Sequence, residues 1–447
     1  MAAIDVSQWF DSRPMRLAQL WVVILAGLLV TFDGIELVIT GSVLPVIAKE
    51  WHISPLALGS VSSVLLFGIM VGAFISGPIA DRIGRKWVVV ASVFVYGVFS
   101  WITAGVANIH ELLLLRFVVG VGVGGSLPNV IPLADEYSPR RLRKTMVAIA
   151  FMGITIGGVV VSLVAETVIP HLGWRAMFSD VAGIPALVLG LLAIVTLPES
   201  IRFLVAQGSR TAQIAAMLRR IDPQAPLSDA DQFYLSEETP RGFPVRHLFD
   251  QGRARNTILL WLMFLFNFLA QYLVNTWLTI ILTRAGFTLA DAIWGLIAIE
   301  GSATIGGLLL GLGADRRNPK VILIAGFLLG AAGLVLLGMV HGFWPVMAML
   351  FVYGLGIVGA QFGLNGLAAS IYPVTARSTG VSWALGVGRF GGIAGPLLGA
   401  AFVSMKMPVT EVFVFAAIPA ILAMVAMLFM DLTGAVSAAA SAAAERA

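Results

Sequence analysis

Long apolar runs recur along this chain, and their length limits what the chain can fold into. A helix that crosses the hydrocarbon core of a bilayer needs about 20 predominantly apolar residues, and runs of this length recur through the 447 residues. Charged residues make up 12% of the chain, whereas soluble domains contain about 25%. The sequence therefore predicts an all-α polytopic membrane protein.

We predict twelve membrane-spanning helices, labelled α1 to α12. Their approximate bounds are residues 17–41, 55–80, 86–107, 110–136, 143–168, 174–197, 256–283, 290–313, 319–340, 344–370, 376–404 and 409–432. The predicted domains are an N-terminal six-helix bundle, a cytoplasmic linker with a short helix near 211–220, a C-terminal six-helix bundle and a tail, at residues 1–198, 199–255, 256–432 and 433–447.

The basic residues set the predicted orientation. Most of the 28 lysines and arginines fall on one side of the predicted membrane, in the linker and in the loops after α2, α4 and α8. Because cytoplasmic loops carry the excess of Lys and Arg, we expect both termini in the cytoplasm and the protein in the plasma (inner) membrane. The first 16 residues lack the apolar core of a signal peptide, so we expect no removable leader.

Composition and motifs argue against other function classes. The chain contains no cysteine, which excludes disulfide and thiolate chemistry. No metal-ligand cluster, nucleophile motif or phosphate-binding loop is recognisable, so we expect neither an enzyme nor a bound cofactor or metal. The net charge of +4 is spread over short loops, which is not the footprint of a nucleic-acid-binding protein.

The chain also repeats itself. An offset of 234 residues, without gaps, superimposes features of four helices of the first half on the second half. The coinciding pairs are Gly77 with Gly311, Asp81 with Asp315, Arg82 with Arg316, Gly120 with Gly354, Arg143 with Arg377, and Gly157 with Gly391. Such a repeat predicts two pseudo-symmetric six-helix halves, the arrangement of a transporter that binds substrate near the bilayer midplane.

Two carboxylates lie within the first apolar run, at Asp33 and Glu36. Residues three apart share a helix face, and an acidic residue at the centre of a membrane helix costs about 2.5–3.5 kcal/mol on an insertion scale. An ionisable residue at this depth indicates function, and burial disfavours the charged form of a carboxyl group. Asp33 and Glu36 are therefore our candidates for proton coupling, with a purely structural pair as the alternative.

Other polar residues lie inside predicted helices and suggest a substrate site. Arg389 falls near the middle of α11, where its permanent charge needs an anion; the anion is either a carboxylate substrate or Glu300 of α8. Arg116 of α4 has either a fixed interhelical role or a role in proton coupling. Arg116 and Glu300 are thus candidates for ion pairs.

Amide and aromatic side chains complete the predicted substrate site. Asn267, Gln271 and Asn275 form one stripe on α7, whose alternative role is interhelical hydrogen bonding. Hydrogen bonds to a ring hydroxyl or to the carboxylate are expected from Gln361 and Asn365 of α10. The candidates for flat walls around an aromatic ring are Phe32, Tyr272, Trp383 and Phe390.

The segment between α2 and α3 carries a specific motif. Residues 77–86 read GPIADRIGRK and fit the major facilitator signature G-x-x-x-D-R-x-G-R-K/R. Charged residues at this rim can pair in one conformation and separate in another. The predicted gating residues, including those of the second copy of the motif, are Gly77, Asp81, Arg82, Arg85, Asp315, Arg316 and Arg377.

A closer resemblance follows from α1 and α11. The sequence DGIE at residues 33–36 resembles the D-G-x-D motif of the aromatic acid:proton symporter family of the major facilitator superfamily. The runs at 115–129, 173–178, 197–204 and, above all, 377–396 are similar to that family too. The resemblance implies a twelve-helix transporter, an acidic pair at Asp33 and Glu36 needed for transport, and functional arginines at Arg377 and Arg389. The second acid is Glu here, one methylene longer than the usual Asp.

We therefore expect a proton-coupled symporter that imports a small aromatic carboxylate, of the hydroxybenzoate type, by alternating access. Its partners are the carboxylate, protons and the lipid bilayer, and we expect a monomer. The alternatives are a proton-coupled importer of a non-aromatic organic acid and a proton-antiport exporter of organic compounds. The glycine-proline run typical of exporters is missing from α5, which counts against export.

Overall fold

The computed structural model describes residues 3–208, 211–228, 231–234, 245–250, 252–316, 318–372 and 377–431. In these ranges it contains twelve helices that are long and apolar enough to cross a membrane, which confirms the predicted number. The helices α1 to α12 comprise Leu17–Trp51, Pro55–Ile83, Arg85–Thr103, Ile109–Glu136, Arg140–Leu172, Trp174–Thr196, Ala254–Arg284, Leu289–Arg316, Pro319–Leu337, 343–371, Arg377–Ser404 and Val409–Phe429. The predicted tail, 433–447, lies outside the described residues.

The first helix is longer than predicted. It continues to Trp51 rather than ending near residue 41, and Pro45 lies inside it. Proline removes one backbone hydrogen bond, but neighbouring helices allow it in a packed membrane helix. Val43 and Leu44, which immediately precede Pro45, are fully buried, and their packing supports the helix at this point.

Two helices contain π-helical segments, at Met177–Gly183 in α6 and at Gly354–Val358 in α10. A π-helical turn inserts an extra residue and is frequent at functional sites. The segment in α6 carries Phe178, which is fully buried and contacts a charged side chain described below. Apolar periodicity does not distinguish such a turn from ordinary helix, and we did not predict it.

A small extramembrane structure connects the N-terminal segment to the linker. Strand β1 (Ala3–Asp5) pairs in parallel with β2 (Gln232–Tyr234). Short helices lie at Val6–Asp11, Ile201–Gln207 and Thr211–Ile221; the last confirms the predicted linker helix. Arg13 and Arg16 reach Asp222 over 3.2 and 3.4 Å. The strands were not predicted, because three residues are too few to show an alternating pattern.

The chain divides into two compact units. Unit 1 comprises Met1–Ile39, Phe67–Val161 and Val168–Glu238, and unit 2 comprises Thr40–Leu66, Ser162–Thr167 and Thr239–Ala447. Asp33, Glu36 and Arg116 belong to unit 1, whereas Glu300 and Arg389 belong to unit 2. The predicted division at residues 198, 255 and 432 stays a prediction.

Each unit contains the same close helix crossing. In unit 1, a side-chain carbon at Gly157 of α5 would collide with the carbonyl oxygen of Thr31 in α1. In unit 2, the corresponding carbon at Gly391 of α11 would collide with the carbonyl oxygen of Leu265 in α7. Both pairs follow the 234-residue offset. Glycine allows backbones to approach this closely, so the repeat seen in the sequence is a repeat of helix contacts.

A second crossing repeats in the same way. Gly72 of α2 faces the backbone of Val121 in α4, and Gly306 of α8 faces the backbone of Leu355 in α10. Either glycine leaves no room for a methyl group. The two units therefore share a packing frame in which glycines set the distances between helices.

Candidate substrate and proton sites

An ion pair lies in the interior of unit 1, between α1 and α4. Arg116 Nη1 donates to Glu36 Oε2 over 2.8 Å, and the side chains are 0% and 1% exposed. The hydroxyl of Ser100 in α3 donates to the other carboxylate oxygen and accepts from Arg116 Nη2 over 2.9 Å. Three helices thus contribute to one closed network around Glu36.

The guanidinium of Arg116 has an aromatic neighbour as well. Its central carbon lies 4.6 Å from the ring centroid of Phe178, in the π-helical segment of α6. A cation over an aromatic face is stabilised by about 0.5–2 kcal/mol, most where water is excluded. The charge of Arg116 is balanced by Glu36 within the protein. Its contacts with α1, α3 and α6 also link these three helices to α4. Glu300, the other candidate for an ion pair, lies in unit 2.

Asp33, one helical turn before Glu36, is in a different situation. Its side chain is fully buried, and neither carboxylate oxygen has a hydrogen-bond partner among the described residues. The hydroxyl of Ser126 in α4 lies beside it, and the hydroxyl of Tyr96 in α3 lies near both acids. Both hydroxyls are buried, and Asp33 is a polar group close to Ser126, although neither hydroxyl makes a hydrogen bond of strict geometry to a described residue. Asp33 is thus a buried carboxyl group without a cation.

Close backbone packing positions the two acids. A side-chain carbon at Gly34 would collide with the backbone of Ile154 in α5, so α1 presses directly on α5 between Asp33 and Glu36. This contact fixes the rotation of α1 and therefore the direction in which both carboxyl groups point.

In unit 2, Arg389 of α11 has no anionic partner in the part of the chain that the structure describes. Its Nη1 lies 3.4 Å from the hydroxyl of Tyr272, and its guanidinium carbon lies 5.4 Å from the ring centroid of Phe268. Both aromatic residues are on α7. Glu300, which the sequence offered as the alternative partner of Arg389, is not within ion-pair distance; its carboxylate instead accepts a hydrogen bond from Asn275 over 3.0 Å.

The amides of α7 and α10 bond to one another. Asn267 Nδ2 donates to Gln361 Oε1 over 2.8 Å, and Gln361 Nε2 donates to Asn365 Oδ1 over 3.1 Å. Asn267 thereby makes the interhelical hydrogen bond considered as the alternative role of the stripe. The carbonyl oxygen of Gln271 is buried and has no partner among the described residues.

The predicted aromatic walls lie partly at the surface of the structure. Trp383 stacks on Trp261, with ring centroids 5.7 Å apart. Trp383 and Phe390 are 41% and 57% exposed. The aromatic rings beside Arg389 are instead Phe268 and Tyr272. Of the two, only Tyr272 was among the aromatic residues that the sequence suggested.

The predicted gating residues fall into two groups. Arg85 Nη1 pairs with Glu136 Oε1 over 2.6 Å, and the hydroxyl of Ser200 donates to the other carboxylate oxygen. Asp81 and Arg82 are exposed, and neither forms an ion pair with a described residue. Gly77 has open space where a side chain would lie. The side chains of Asp315, Arg316 and Arg377 lie outside the described part of the structure.

Tyr137 lies next to the ion pair of Arg85 and Glu136. Tyr137 is buried, and its hydroxyl donates to the backbone oxygen of Glu199 over 2.8 Å. Burial, followed by the neighbouring carboxylates of Glu136 and Glu199, raises the pKa of Tyr137 well above its usual value. Its hydroxyl therefore stays protonated and keeps donating at physiological pH.

Several site residues were missed by the sequence analysis. Ser100 and Thr103, three apart on α3, contact Arg116; two small polar residues on one face of an apolar helix were the available signal. Tyr96 and Ser126 had no distinguishing pattern. Phe178 was indistinguishable from any core aromatic residue.

Comparisons with known proteins identify the family. The model of the Major Facilitator Superfamily matches residues 26–357 and 260–446. A gallate transporter of Pseudomonas putida is 35% identical over 96% of this chain and 95% of its own length. The 4-hydroxybenzoate transporter PcaK of the same species is 34% identical, covering 96% of both chains. A benzoate transport protein of Acinetobacter baylyi is 33% identical over 96% of this chain and 93% of its own length.

Solved structures agree on the fold. A bacterial homolog of the human lysosomal transporter Spinster, in an inward-facing unoccupied conformation, superimposes with a TM-score of 0.72 at 18% identity, covering 93% of this chain and 98% of that one. The inward open xylose transporter XylE of Escherichia coli gives 0.71 at 17% identity, covering 92% and 96%. The chain is therefore a multi-pass membrane protein of the Major Facilitator Superfamily and belongs to its aromatic acid transporter family, whose members are transporters and not enzymes.

Proposed function

We propose that this chain is a proton-coupled symporter that imports a small aromatic carboxylate across the plasma (inner) membrane by alternating access. The named substrates of its relatives, gallate, 4-hydroxybenzoate and benzoate, all carry a carboxylate on an aromatic ring. We further propose that it works as a monomer and that both termini are cytoplasmic, as the distribution of basic residues predicts.

The proposal rests mainly on one observation, that Arg389 has no anionic partner among the described residues. An arginine inside a membrane helix keeps its charge and needs an anion, and no described carboxylate lies within reach of it. A substrate carboxylate matches the planar guanidinium through two parallel hydrogen bonds. Phe268 and Tyr272, which lie beside Arg389, offer ring faces for the aromatic part of the same molecule.

The second part of the proposal concerns the proton. Asp33 is buried without a cation, and a buried charge without a partner is strongly unfavourable, so the group takes up a proton instead. Protonation of Asp33 accompanies loading of the acid from outside, and release of both inside allows the return of the empty carrier. Asp33 thereby couples the inward proton gradient to accumulation of the acid.

Glu36 has a different role in this proposal. Its carboxylate is paired with Arg116 and accepts from the hydroxyl of Ser100, and these contacts hold α1 against α3 and α4. The sequence had offered both acids for coupling; the contacts favour Asp33 as the group that exchanges its proton.

The test is uptake of labelled acids into proteoliposomes, with and without an inward proton gradient. The panel contains 4-hydroxybenzoate, benzoate, gallate, gentisate, protocatechuate, the non-aromatic dicarboxylate muconate, and a simple sugar as control. We expect accumulation of at least one aromatic acid that collapses with an uncoupler, and none of the sugar.

Other results would redirect the assignment. Gradient-driven uptake of muconate alone would indicate an importer of non-aromatic acids. Absence of gradient-driven uptake of every acid, together with proton-driven efflux, would indicate an exporter and contradict the proposal.

A further inference from the structure

Glu300 is a second buried carboxyl group in a membrane helix, and coupling through Asp33 makes no use of it. It lies near the middle of α8 and is 3% exposed. Its carboxyl group accepts one hydrogen bond from the described residues, from Asn275 Nδ2 of α7 over 3.0 Å. An intramembrane acid without an assigned task is a functional candidate.

The surroundings of Glu300 contain no compensating charge. Among the described residues, Asn275 of α7 donates to it, and the hydroxyls of Tyr272 of α7 and Tyr353 of α10 are close enough to be influenced by its charge. No described Lys, Arg or His lies within ion-pair distance of it, and Arg389 contacts Tyr272 instead. A carboxylate at this position would be a buried charge stabilised by a single amide, which is highly unfavourable.

The hydrogen bonds of Asn275 also favour a protonated Glu300. The carbonyl oxygen of Asn275 is buried and receives no hydrogen bond from the described residues, although the nitrogen of the same amide donates to Glu300. A carboxylate has no donor, whereas a carboxylic acid has one. Protonation of Glu300 therefore adds a hydroxyl donor next to an amide whose buried oxygen lacks a described donor, and an unsatisfied buried acceptor is unfavourable.

We propose that Glu300 binds a second proton in the transport cycle, so that two protons enter with each monoanionic acid. The proton adds to the Glu300 carboxylate from the outside and leaves to the inside, which regenerates the carboxylate. This inference rests on the proposed proton-coupled function. Its consequence is electrical: one proton with one anion moves no net charge, whereas two protons with one anion move one positive charge inward.

The first experiment does not depend on any substrate. Infrared spectroscopy of the purified full-length protein at neutral pH detects the carbonyl stretch of protonated carboxylic acids. We expect the wild type to show a component that Glu300→Gln removes and that Glu411→Gln, a change at an exposed glutamate of α12, leaves in place. Gln keeps the oxygen that accepts from Asn275. An unchanged spectrum in Glu300→Gln would overturn the proposal.

A second variant covers the case in which Glu300→Gln does not fold. In Asn275→Ala the hydrogen bond to Glu300 is lost, so the carbonyl band of the protonated acid moves to higher frequency. A band at the wild-type position in this variant contradicts the assignment to Glu300.

The second experiment measures charge movement in proteoliposomes, with labelled 4-hydroxybenzoate and gallate as probes. A potential of about 100 mV, negative inside and without a pH gradient, supports about 50-fold accumulation for one net charge per cycle. We expect potential-driven accumulation by the wild type and by Glu411→Gln. Glu300→Gln should lose the response to potential while a pH gradient still drives uptake.

The two proposals fail in different ways. Wild-type uptake that responds to pH but not to potential overturns the second proton and leaves the symporter intact. Lack of pH-driven uptake of any acid in the panel contradicts the symporter itself, and the infrared result then stands on its own.

Discussion

Units 1 and 2 share a packing frame but differ in whether a protein carboxylate pairs with their intramembrane arginine, Arg116 or Arg389. In unit 1, Arg116 neutralises Glu36 across α4 and α1. The 234-residue offset places Ala270 and Leu350 at the corresponding positions of unit 2, so the ion pair is not repeated. The repeat thus extends to how the helices pack but not to the charged residues, and we expect the functional residues to lie where the repeat is broken.

The charges of unit 2 are also kept apart. Arg389 falls at the position of Thr155 in unit 1 and contacts a tyrosine, while Glu300 contacts an amide. An arginine already paired with a protein carboxylate would be a poor receptor for a substrate carboxylate. We therefore expect Arg116 to stabilise the fold and Arg389 to bind the substrate.

The largest effect is expected from breaking the ion pair of unit 1. Arg116→Leu leaves Glu36 as an unpaired buried charge, which costs about 3–5 kcal/mol of unfolding free energy. The double variant with Glu36→Leu removes both charges and should recover most of that loss. Unfolding in detergent, followed by tryptophan fluorescence, measures both. A double variant as unstable as the sum of the two single variants would contradict this assignment.

The next effect is expected from Arg389, the arginine inside a membrane helix of unit 2. Arg389→Gln should weaken binding of the transported acid about 30-fold, corresponding to about 2 kcal/mol for a lost charged hydrogen-bond partner. Its unfolding free energy should change by no more than about 0.5 kcal/mol, because no ion pair within the described protein is broken. Equilibrium binding and unfolding of the same preparation test both statements. Unchanged affinity for the acid with a large loss of unfolding free energy would contradict this role and indicate that Arg389, like Arg116, is structural.

The smallest effect tests the shared frame. Gly157→Ala and Gly391→Ala place a methyl group against backbone oxygens in units 1 and 2, and overpacking of this kind costs about 1–3 kcal/mol. Gly77→Ala is the matched control, because a side chain there meets open space and Ala favours helix by up to about 1 kcal/mol over Gly. Unfolding of the three variants should show similar losses at 157 and 391 and none at 77. A loss of unfolding free energy at only one of the two glycines would contradict the shared helix crossing.

The sequence predicted the frame better than the site. Twelve apolar runs predicted twelve helices, because the length of an apolar run is a local signal. The 234-residue offset, which pairs Gly157 with Gly391, predicted a structural repeat, and the structure shows a repeated helix crossing at these two glycines. The pairing of Glu36 with Arg116 could not be predicted in this way. The two residues are 80 positions apart, and their contact depends on how α1 and α4 pack.

The cytoplasmic motif shows the same limit. The sequence offered Asp81, Arg82 and Arg85 of this motif for gating. Of these three, only Arg85 forms an ion pair with a described residue, whereas the other two are exposed. The motif establishes the residue types and the family. Which arginine pairs depends on the position of Glu136 and Ser200, which come from other parts of unit 1.

Asp33 is a fully buried carboxyl group of unit 1 for which the structure describes no cationic partner, and the proposed coupling depends on it most directly. The decisive measurement compares wild type and Asp33→Asn in proteoliposomes, by substrate exchange at equal pH and by accumulation under an inward proton gradient. We predict that the variant keeps exchange, because binding through Arg389 is intact, and loses gradient-driven accumulation. Accumulation at the wild-type level by Asp33→Asn would contradict the assignment of the coupled proton.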